Sequence, residues 1–163
     1  MDQVLFDFTA AVAPWTSVDD RVMGGVSASR LEPGAGCAVF AGLVSLANNG
    51  GFASVRSPSG SYGLEGCAGI VVEALGDGKR YALRLRTSDH FDDVVFQAPL
   101  EPPTGAPGPV QVPFSAFRPR YRGWEVTDYP ELDPATVCGF GLLIADQQAG
   151  PFRLEVVRIG AFR

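Results

Sequence analysis

The chain has 163 residues, a formal net charge of −5 at pH 7 and a hydrophobic content of 46%. This length and apolar content exclude a disordered chain, so we treat residues 1–163 as a single domain. The acidic balance argues against sequence-independent binding to nucleic acid, which requires a basic surface. The 20 glycines and 13 prolines favour many short strands joined by turns over a helical fold.

The N-terminal third predicts strands and contains no recognisable targeting segment. Residues 4–8 form a first apolar strand pattern, and no basic region with a long apolar run precedes them. We therefore expect a cytoplasmic protein. The uncharged segment 33–55 is interrupted by glycines and asparagines. It predicts two strands and a turn, not a membrane span.

Two loops of similar composition follow the first strand, and they hold the candidate binding residues of the chain: Asp19, Asp20, Arg21 and Met23 in the first loop, and Asn48 and Asn49 in the second. Each loop contains a glycine pair, which allows positive φ or close backbone approach. Asp and Asn side chains accept hydrogen bonds from nearby backbone N–H groups and so fix loops. We predict that the two loops lie together at one end of the fold and contact a partner there.

Calcium ligation is a second interpretation of the same loops, because carboxylate and amide oxygens bind that ion. The acids of these loops are less densely spaced than those of a calcium-binding loop. Hydrogen bonding of the side chains to backbone is therefore the favoured interpretation.

The remaining chain continues the strand pattern. Two apolar runs within residues 70–87 flank an Asp-Gly pair, which predicts a tight hairpin. Five prolines in residues 99–109 predict a connector without ladder hydrogen bonds, and residues 118–128 predict a long loop. Residues 137–145 and 152–156 predict the last strands. Since no segment shows a sustained helical period, we predict an all-β jelly-roll sandwich of eight to ten short strands with few or no helices.

One predicted strand presents basic residues on a single face. Arg84 and Arg86 alternate with apolar residues, and side chains alternate across a strand. Arg56 is a candidate neighbour on this polar sheet face, and Tyr121 and Trp124 are candidates for its border. Guanidinium groups bind carboxylates in a fork and stack on aromatic or sugar rings. The competing interpretation is an ordinary solvated sheet face.

The sequence contains no recognisable catalytic constellation. The single histidine, His90, lies beside Asp92 and Asp93, which are the residues a hydrolase would use here. A solvated turn is the favoured interpretation, since no motif of a known catalytic site is present. The three cysteines have no CxxC spacing, so they predict neither a disulfide framework nor a zinc site. We expect no enzyme activity, no catalytic residue, no bound metal and no cofactor.

Several short motifs, taken in order, extend over nearly the whole chain. They are Trp15 with residues 20–27, Phe40-Ala41-Gly42 with residues 48–56, residues 76–81, Phe96-Gln97-Ala98, Val112-Pro113-Phe114, Arg122-Gly123 and residues 144–152. Together they resemble the thirty-kilodalton complex I intermediate-associated protein family. The resemblance implies a galactose-binding-domain-like jelly roll, related in shape to carbohydrate-binding modules. It also implies a non-enzymatic chaperone role in the assembly of respiratory complex I, the NADH:ubiquinone oxidoreductase.

The resemblance and the residues leave two main functions open. In the first, the chain binds a protein client, namely complex I subunits or assembly intermediates, through its two glycine-bearing loops. In the second, it is a carbohydrate-binding module that holds a sugar ligand on a concave sheet face, with Trp124 or Tyr121 beside Arg84 and Arg86. A hydrolase that uses His90 is a third hypothesis, and it requires an enclosed pocket around that residue.

Overall fold

The computed structural model describes residues 1–20, 24–90 and 92–163, apart from the side chain of Asn49. Arg21 and Met23 of the first candidate loop lie outside the described residues. The strands are β1 (Gln3–Asp7), β2 (Thr16–Ser17), β3 (Ala28–Pro33), β4 (Ala38–Val44), β5 (Ala53–Arg56), β6 (Gly69–Leu75), β7 (Tyr81–Arg86), β8 (Val95–Leu100), β9 (Gly108–Pro113), β10 (Arg118–Tyr121), β11 (Trp124–Glu125), β12 (Gly139–Ile144) and β13 (Gly150–Phe162). Short 3-10 helices occur at Ala47–Asn49, Phe114–Ala116 and Pro134–Thr136.

The strands form two antiparallel sheets. The six-stranded sheet has the order β3-β4-β13-β6-β9, with β1 also paired to β13. The seven-stranded sheet has the order β11-β10-β8-β7-β12-β5-β2. This arrangement confirms the prediction of an all-β sandwich, and the described part of the chain has only single-turn helices.

The hydrophobic core lies between the sheets, because alternate residues of each strand point inward. The six-stranded sheet contributes Phe40 and Leu154, and the seven-stranded sheet contributes Leu83, Phe140 and Leu142, all fully buried. Burying one such side chain stabilises the fold by about 1.5–3 kcal/mol. The outward positions of the same strands are therefore free to vary with function.

The longest strand, β13, organises the six-stranded sheet. One edge of β13 pairs with β4 over residues 150–156, and the chain then shifts its register between Val156 and Arg158. Beyond that bulge β13 pairs with β1, while its other edge stays paired with β6. The extra residue of a bulge bends a strand locally. The bend lies where β13 exchanges one partner strand for the next.

The predicted hairpin within residues 70–87 is wrong, because β6 and β7 belong to different sheets. The Asp-Gly pair makes a corner between the sheets instead of a tight turn between paired strands. One carboxylate oxygen of Asp77 accepts hydrogen bonds from the Lys79 N–H at 3.1 Å and the Tyr81 hydroxyl at 2.9 Å. Its other oxygen accepts from the Arg153 N–H of β13 at 2.8 Å. Asp77 thus connects the start of β7, in the seven-stranded sheet, to β13 of the six-stranded sheet.

Residues 118–128 also differ from the prediction of a long loop, since they contain the short strands β10 and β11. These strands pair with each other at the edge of the seven-stranded sheet. Their basic and aromatic residues lack an apolar alternation, so periodicity alone does not predict them.

Candidate functional site

The carboxylate of Asp20 joins the two glycine-bearing loops. Its Oδ1 accepts from the Ser27 N–H at 2.8 Å, and its Oδ2 accepts from the Ser27 hydroxyl at 2.5 Å. From the second loop, Oδ2 also accepts from the N–H groups of Gly51 at 2.7 Å and Phe52 at 3.4 Å. The Asp20 side chain is fully buried. The two candidate loops therefore lie together, connected by one internal carboxylate.

The glycine pairs leave the space that this carboxylate occupies. A Cβ atom at Gly25 would lie 2.4 Å from the Asp20 carboxyl carbon, and one at Gly50 would lie 2.5 Å from Oδ2. Real Cβ atoms do not approach so closely, so a side chain at either position would displace Asp20. One glycine of each pair is thus explained by close packing around a buried acid.

Asp19 connects the two sheets directly. Its Oδ2 accepts from the Ser29 N–H of β3 at 2.9 Å, and its Oδ1 accepts from the Ser54 N–H of β5 at 2.9 Å. The Ser29 hydroxyl donates to the same Oδ1 at 2.5 Å and also to the Ser54 carbonyl oxygen at 3.2 Å. Because β3 and β5 belong to different sheets, Asp19 closes the sandwich at this edge.

Burial disfavours the ionised form of Asp20, and the hydrogen bonds from Ser27, Gly51 and Phe52 outweigh that effect. The pKa of the Asp20 carboxyl is therefore held below its ordinary value of 3.8. We refer to Asp19, Asp20 and their donors as the aspartate clasp. The clasp is built from internal contacts, and the described residues contain no group of three metal-ligating side chains.

Three exposed apolar residues lie near the clasp. Val26, Leu43 and Leu46 are 50%, 50% and 45% exposed. Val26 directly precedes Ser27 and Leu46 directly follows Ser45, and the Ser45 N–H donates a hydrogen bond to the Ser27 hydroxyl at 2.9 Å. Leu43 lies in β4, and these three residues are called the apolar rim below. The predicted site residue Asn48 is exposed beside them, with a positive φ of 55°.

A second candidate site lies on the outer face of the seven-stranded sheet. Strand register aligns Arg56, Gly141, Arg84, Gln97 and Arg118 across five strands. The adjacent row aligns Gly139, Arg86, Val95, Arg120 and Glu125. The structure thus brings the predicted residues Arg56, Arg84 and Arg86 onto one face, and it adds Arg120. These four residues are called the arginine face.

Three guanidinium groups of the arginine face donate hydrogen bonds to neutral acceptors. The Nε–H of Arg84 donates to Gln97 Oε1 at 2.9 Å. Arg86 Nη2 donates to the Ser57 carbonyl oxygen at 2.5 Å, and Arg120 Nη1 donates to the Gly123 carbonyl oxygen at 3.3 Å. The side chains are therefore held in place while each retains its positive charge.

The cations of this face also repel one another. Burial, followed by the charges of Arg56 and Arg120, lowers the pKa of Arg84 to about 10. Burial and the charge of Arg86 likewise lower the pKa of Arg56. Arg84 still carries a proton at neutral pH, since a pKa of about 10 lies far above 7. The proximity of these arginines concentrates positive charge on a protein that is acidic as a whole.

Tyr121 and Trp124 do not border the arginine face. They pair with each other across β10 and β11, and alternation along β10 places Tyr121 on the side opposite Arg120. The Tyr121 hydroxyl donates to Asp92 Oδ2 at 3.1 Å, and Trp124 is 79% exposed.

The segment around His90 forms an open surface. His90 and Asp92 are both exposed. Hydrogen bonds from Arg122 are the main cause that lowers the pKa of the Asp92 carboxyl, and their shortest distance is 2.6 Å. Asp93 Oδ1 accepts from the Val94 N–H at 2.7 Å. Of the described residues in this segment, Asp89, His90 and Asp92 are all exposed, so they do not enclose the histidine as the hydrolase hypothesis requires.

A groove of about 550 Å³ lies beside the 3-10 helix Phe114–Ala116 and was not predicted from the sequence. Aromatic rings of Phe96, Phe114, Phe117 and Tyr129 line it, together with the carboxylates of Glu125, Asp128 and Glu131. This volume is in the range of small-molecule sites. The residues come from three separate chain segments, so their convergence depends on the fold.

These surfaces lie on a two-sheet scaffold, which defines an all-β sandwich protein. The chain matches the family model of complex I intermediate-associated protein 30 (CIA30) over residues 4–156, and it belongs to that family. Over 166 aligned residues it is 28% identical to uncharacterized protein C9E9.15 of Schizosaccharomyces pombe, with 89% of this chain and 76% of the relative covered.

Solved structures confirm the predicted jelly-roll fold. The family 11 carbohydrate-binding module of the Clostridium thermocellum cellulase Lic26A-Cel5E superposes with a TM-score of 0.70 at 15% identity, covering 98% of this chain and 94% of that chain. The Clostridium thermocellum module in complex with a β-1,3-1,4-mixed-linked tetrasaccharide gives a TM-score of 0.68 at 15% identity, covering 98% and 95%. An agarase, AgWH50C, gives 0.61 at 10% identity, covering 98% of this chain and 24% of the agarase.

Within the described residues, no helix has the length and apolar character needed to cross a membrane.

Replacing Asp20 with Asn tests the aspartate clasp. We expect Asp20→Asn to lower the free energy of unfolding by about 2–3 kcal/mol at pH 7, because hydrogen bonds to a buried charge are lost and an amide donor faces N–H groups. Urea unfolding followed by circular dichroism measures this change. Asp146→Asn is the control, since Asp146 is exposed and Asn tolerates its positive φ of 62°. Equal stability of the two variants would contradict the role of the clasp.

The same pair of proteins predicts a pH dependence. A carboxyl whose pKa is lowered by folding stabilises the protein above its unfolded value of 3.8, and this contribution is lost as the pH falls through the folded value. The stability difference between wild type and Asp20→Asn should therefore be constant from pH 7 to about 5 and shrink below about 4. Urea midpoints across that range measure it. A difference that does not change with pH would show that Asp20 is not ionised in the clasp.

Proposed function

We propose that the chain is a non-enzymatic binding module that assists respiratory complex I assembly by holding a protein intermediate. The observation that supports the proposal is the family match, which extends over residues 4–156. Residues 1–163 act as one domain in this proposal, and the site of action is the cytoplasm. The client is a complex I subunit or an assembly intermediate.

The apolar rim is the proposed client-binding surface. Val26, Leu43 and Leu46 are about half exposed, and grouped apolar side chains on a surface are typical of protein contacts. The aspartate clasp supports this placement because it fixes the backbone next to two of the three residues. A prearranged surface loses less conformational entropy on binding than a loose loop. Asp19 and Asp20 themselves are buried and act by positioning the rim.

A deletion strain complemented with rim variants tests the proposal. We expect deletion to reduce assembled complex I on native gels, and wild-type protein to restore it and to copurify with complex I subunits. Val26→Ser combined with Leu46→Ser should fold normally, yet leave less than about a tenth of the copurifying subunits.

The matched control is Val4→Ser, because Val4 is 53% exposed on β1. It should restore complex I fully. Unchanged complex I in the deletion strain would refute the assembly role. Full activity of the rim variant would refute the rim as the contact surface.

Carbohydrate binding is the second candidate, and the groove favours it. The groove presents the exposed Tyr129 and the half-buried Phe114 beside carboxylates, whereas Phe96 and Phe117 are buried. Protein sites for sugars combine ring stacking with hydrogen bonding. The similar Clostridium thermocellum module was solved with a mixed-linked tetrasaccharide.

Titration calorimetry with that tetrasaccharide tests the second candidate. Binding through the groove predicts heat of binding in wild type and at least a tenfold weaker Kd in Tyr129→Ala, about 1.4 kcal/mol. Thr127→Ala is the control, as Thr127 is exposed and does not line the groove. Absence of binding by wild type, or equal loss in both variants, would reject the groove as a sugar site.

A further inference from the structure

The arginine face combines a high local charge with few compensating acids at Arg84, Arg86 and Arg120. The ion pairs formed within residues 1–20, 24–90 and 92–163 join Arg30 to Glu32, Arg122 to Asp92, Arg153 to Glu155, and Arg158 to Asp7 and Glu73. None of these pairs includes Arg84, Arg86 or Arg120. The carboxylate nearest in register is Glu125, which faces Arg120 at the sheet edge. A protein of net charge −5 thus keeps four guanidinium groups together on one sheet face.

Buried donors on this face lack acceptors. Arg86 is only 8% exposed, and its Nε–H has no hydrogen-bond partner among the described residues. The buried Nε–H of Arg120 is likewise without one. Leaving a buried donor unsatisfied costs about 1–3 kcal/mol, and more when the group is charged. An external acceptor that enters between these arginines would remove this cost.

The backbone leaves room for one acceptor oxygen, because the depression between the arginines has a volume of about 10 Å³. Arg56, Arg84 and Arg86 line a small depression together with Ser54 and Gly141. Gly141 stands between Arg56 and Arg84 in the strand register, so no side chain fills the space that separates them.

Gly139 has a related role under Arg86. A Cβ atom at Gly139 would lie 2.2 Å from Arg86 Nη2, so only glycine allows the guanidinium group to lie flat on β12. Two glycines of one strand thus shape an arginine-lined depression.

The chemistry of the face selects the ligand. The two rows of described residues that contain the arginines hold no aromatic side chain, and neutral sugars depend on ring stacking. A carboxylate offers a single negative charge to the three cations that line the depression. A phosphate monoester carries about −1.5 to −2 charges at pH 7 and three acceptor oxygens, which guanidinium groups bind in bidentate fashion.

We propose that the arginine face binds a phosphate group, with Arg56, Arg84 and Arg86 as its donors. The phosphate belongs to a short ligand, because the acidic remainder of the protein repels a long polyanion. This site lies apart from the apolar rim, and the proposal does not depend on the assembly role.

Titration calorimetry with inorganic phosphate at low ionic strength tests the proposal. Wild type should bind phosphate with one-to-one stoichiometry and more tightly than acetate. Arg84→Gln should weaken the Kd about tenfold, the equivalent of 1.4 kcal/mol, while thermal unfolding shows that the variant is folded. Arg80→Gln is the matched control. Arg80 is exposed just before β7, and its substitution removes the same charge as Arg84→Gln. It should bind phosphate as wild type does.

A second variant keeps all the arginines. Gly141→Ala places a methyl group in the depression, where it lies 3.2 Å from the Val55 carbonyl oxygen. We expect weaker phosphate binding with the charge unchanged. No binding by wild type, equal weakening in Arg84→Gln and Arg80→Gln, or tighter binding of acetate than phosphate would overturn the proposal.

Vesicles identify the source of the phosphate. Phosphatidylcholine vesicles with added phosphatidic acid present the group as a lipid headgroup, whereas inorganic phosphate presents it in solution. Vesicle binding that Arg84→Gln abolishes supports the proposal with a lipid as the source. Phosphate binding without vesicle binding supports it with a soluble phosphate ester as the source.

Discussion

The sandwich depends at one edge on a carboxylate shared by both sheets. Asp19 accepts hydrogen bonds from β3 of one sheet and from β5 of the other, so these two strands are held at a fixed separation. Asp20 then connects the two loops that enter these strands. A buried carboxylate is tolerated only when several donors surround it, and the glycines at positions 25 and 50 permit those donors to approach. The acids and the glycines of this motif thus form one structural unit.

Local chemistry was sufficient to predict the class of fold and the pairing of the two loops. Alternating apolar residues specify strands, and Asp with glycine pairs specify tight backbone packing. The hairpin prediction at Asp77 is wrong because an Asp-Gly pair is compatible with any sharp change of chain direction. Only long-range pairing decides whether the flanking strands belong to the same sheet. The groove near Phe114 and the addition of Arg120 to the arginine face also depend on contacts distant in sequence. No local pattern contains that information.

The jelly-roll fold by itself does not determine the function of the protein. This chain and the family 11 carbohydrate-binding modules share the architecture at 15% identity, a level at which surface residues are free to differ. The outer face of the seven-stranded sheet presents arginines here, whereas the aromatic rings line a groove elsewhere. The arginines and the aromatic groove therefore occupy different parts of the surface, and they meet at Arg118 and Glu125, which belong to the arginine rows and also line the groove.

The clasp and the arginine face are connected through a single strand. Ser54 of β5 donates its N–H to Asp19 and also lines the depression, and Arg56 follows two residues later on the same side of the strand. Asp19 sets the position of β5 relative to β3 of the other sheet. The separation of Arg56 from Arg84 is set within one sheet, by the pairing of β5 and β7 with β12. Strand β5 therefore belongs both to the clasp and to the arginine face, and each of its two edges serves a different set of contacts.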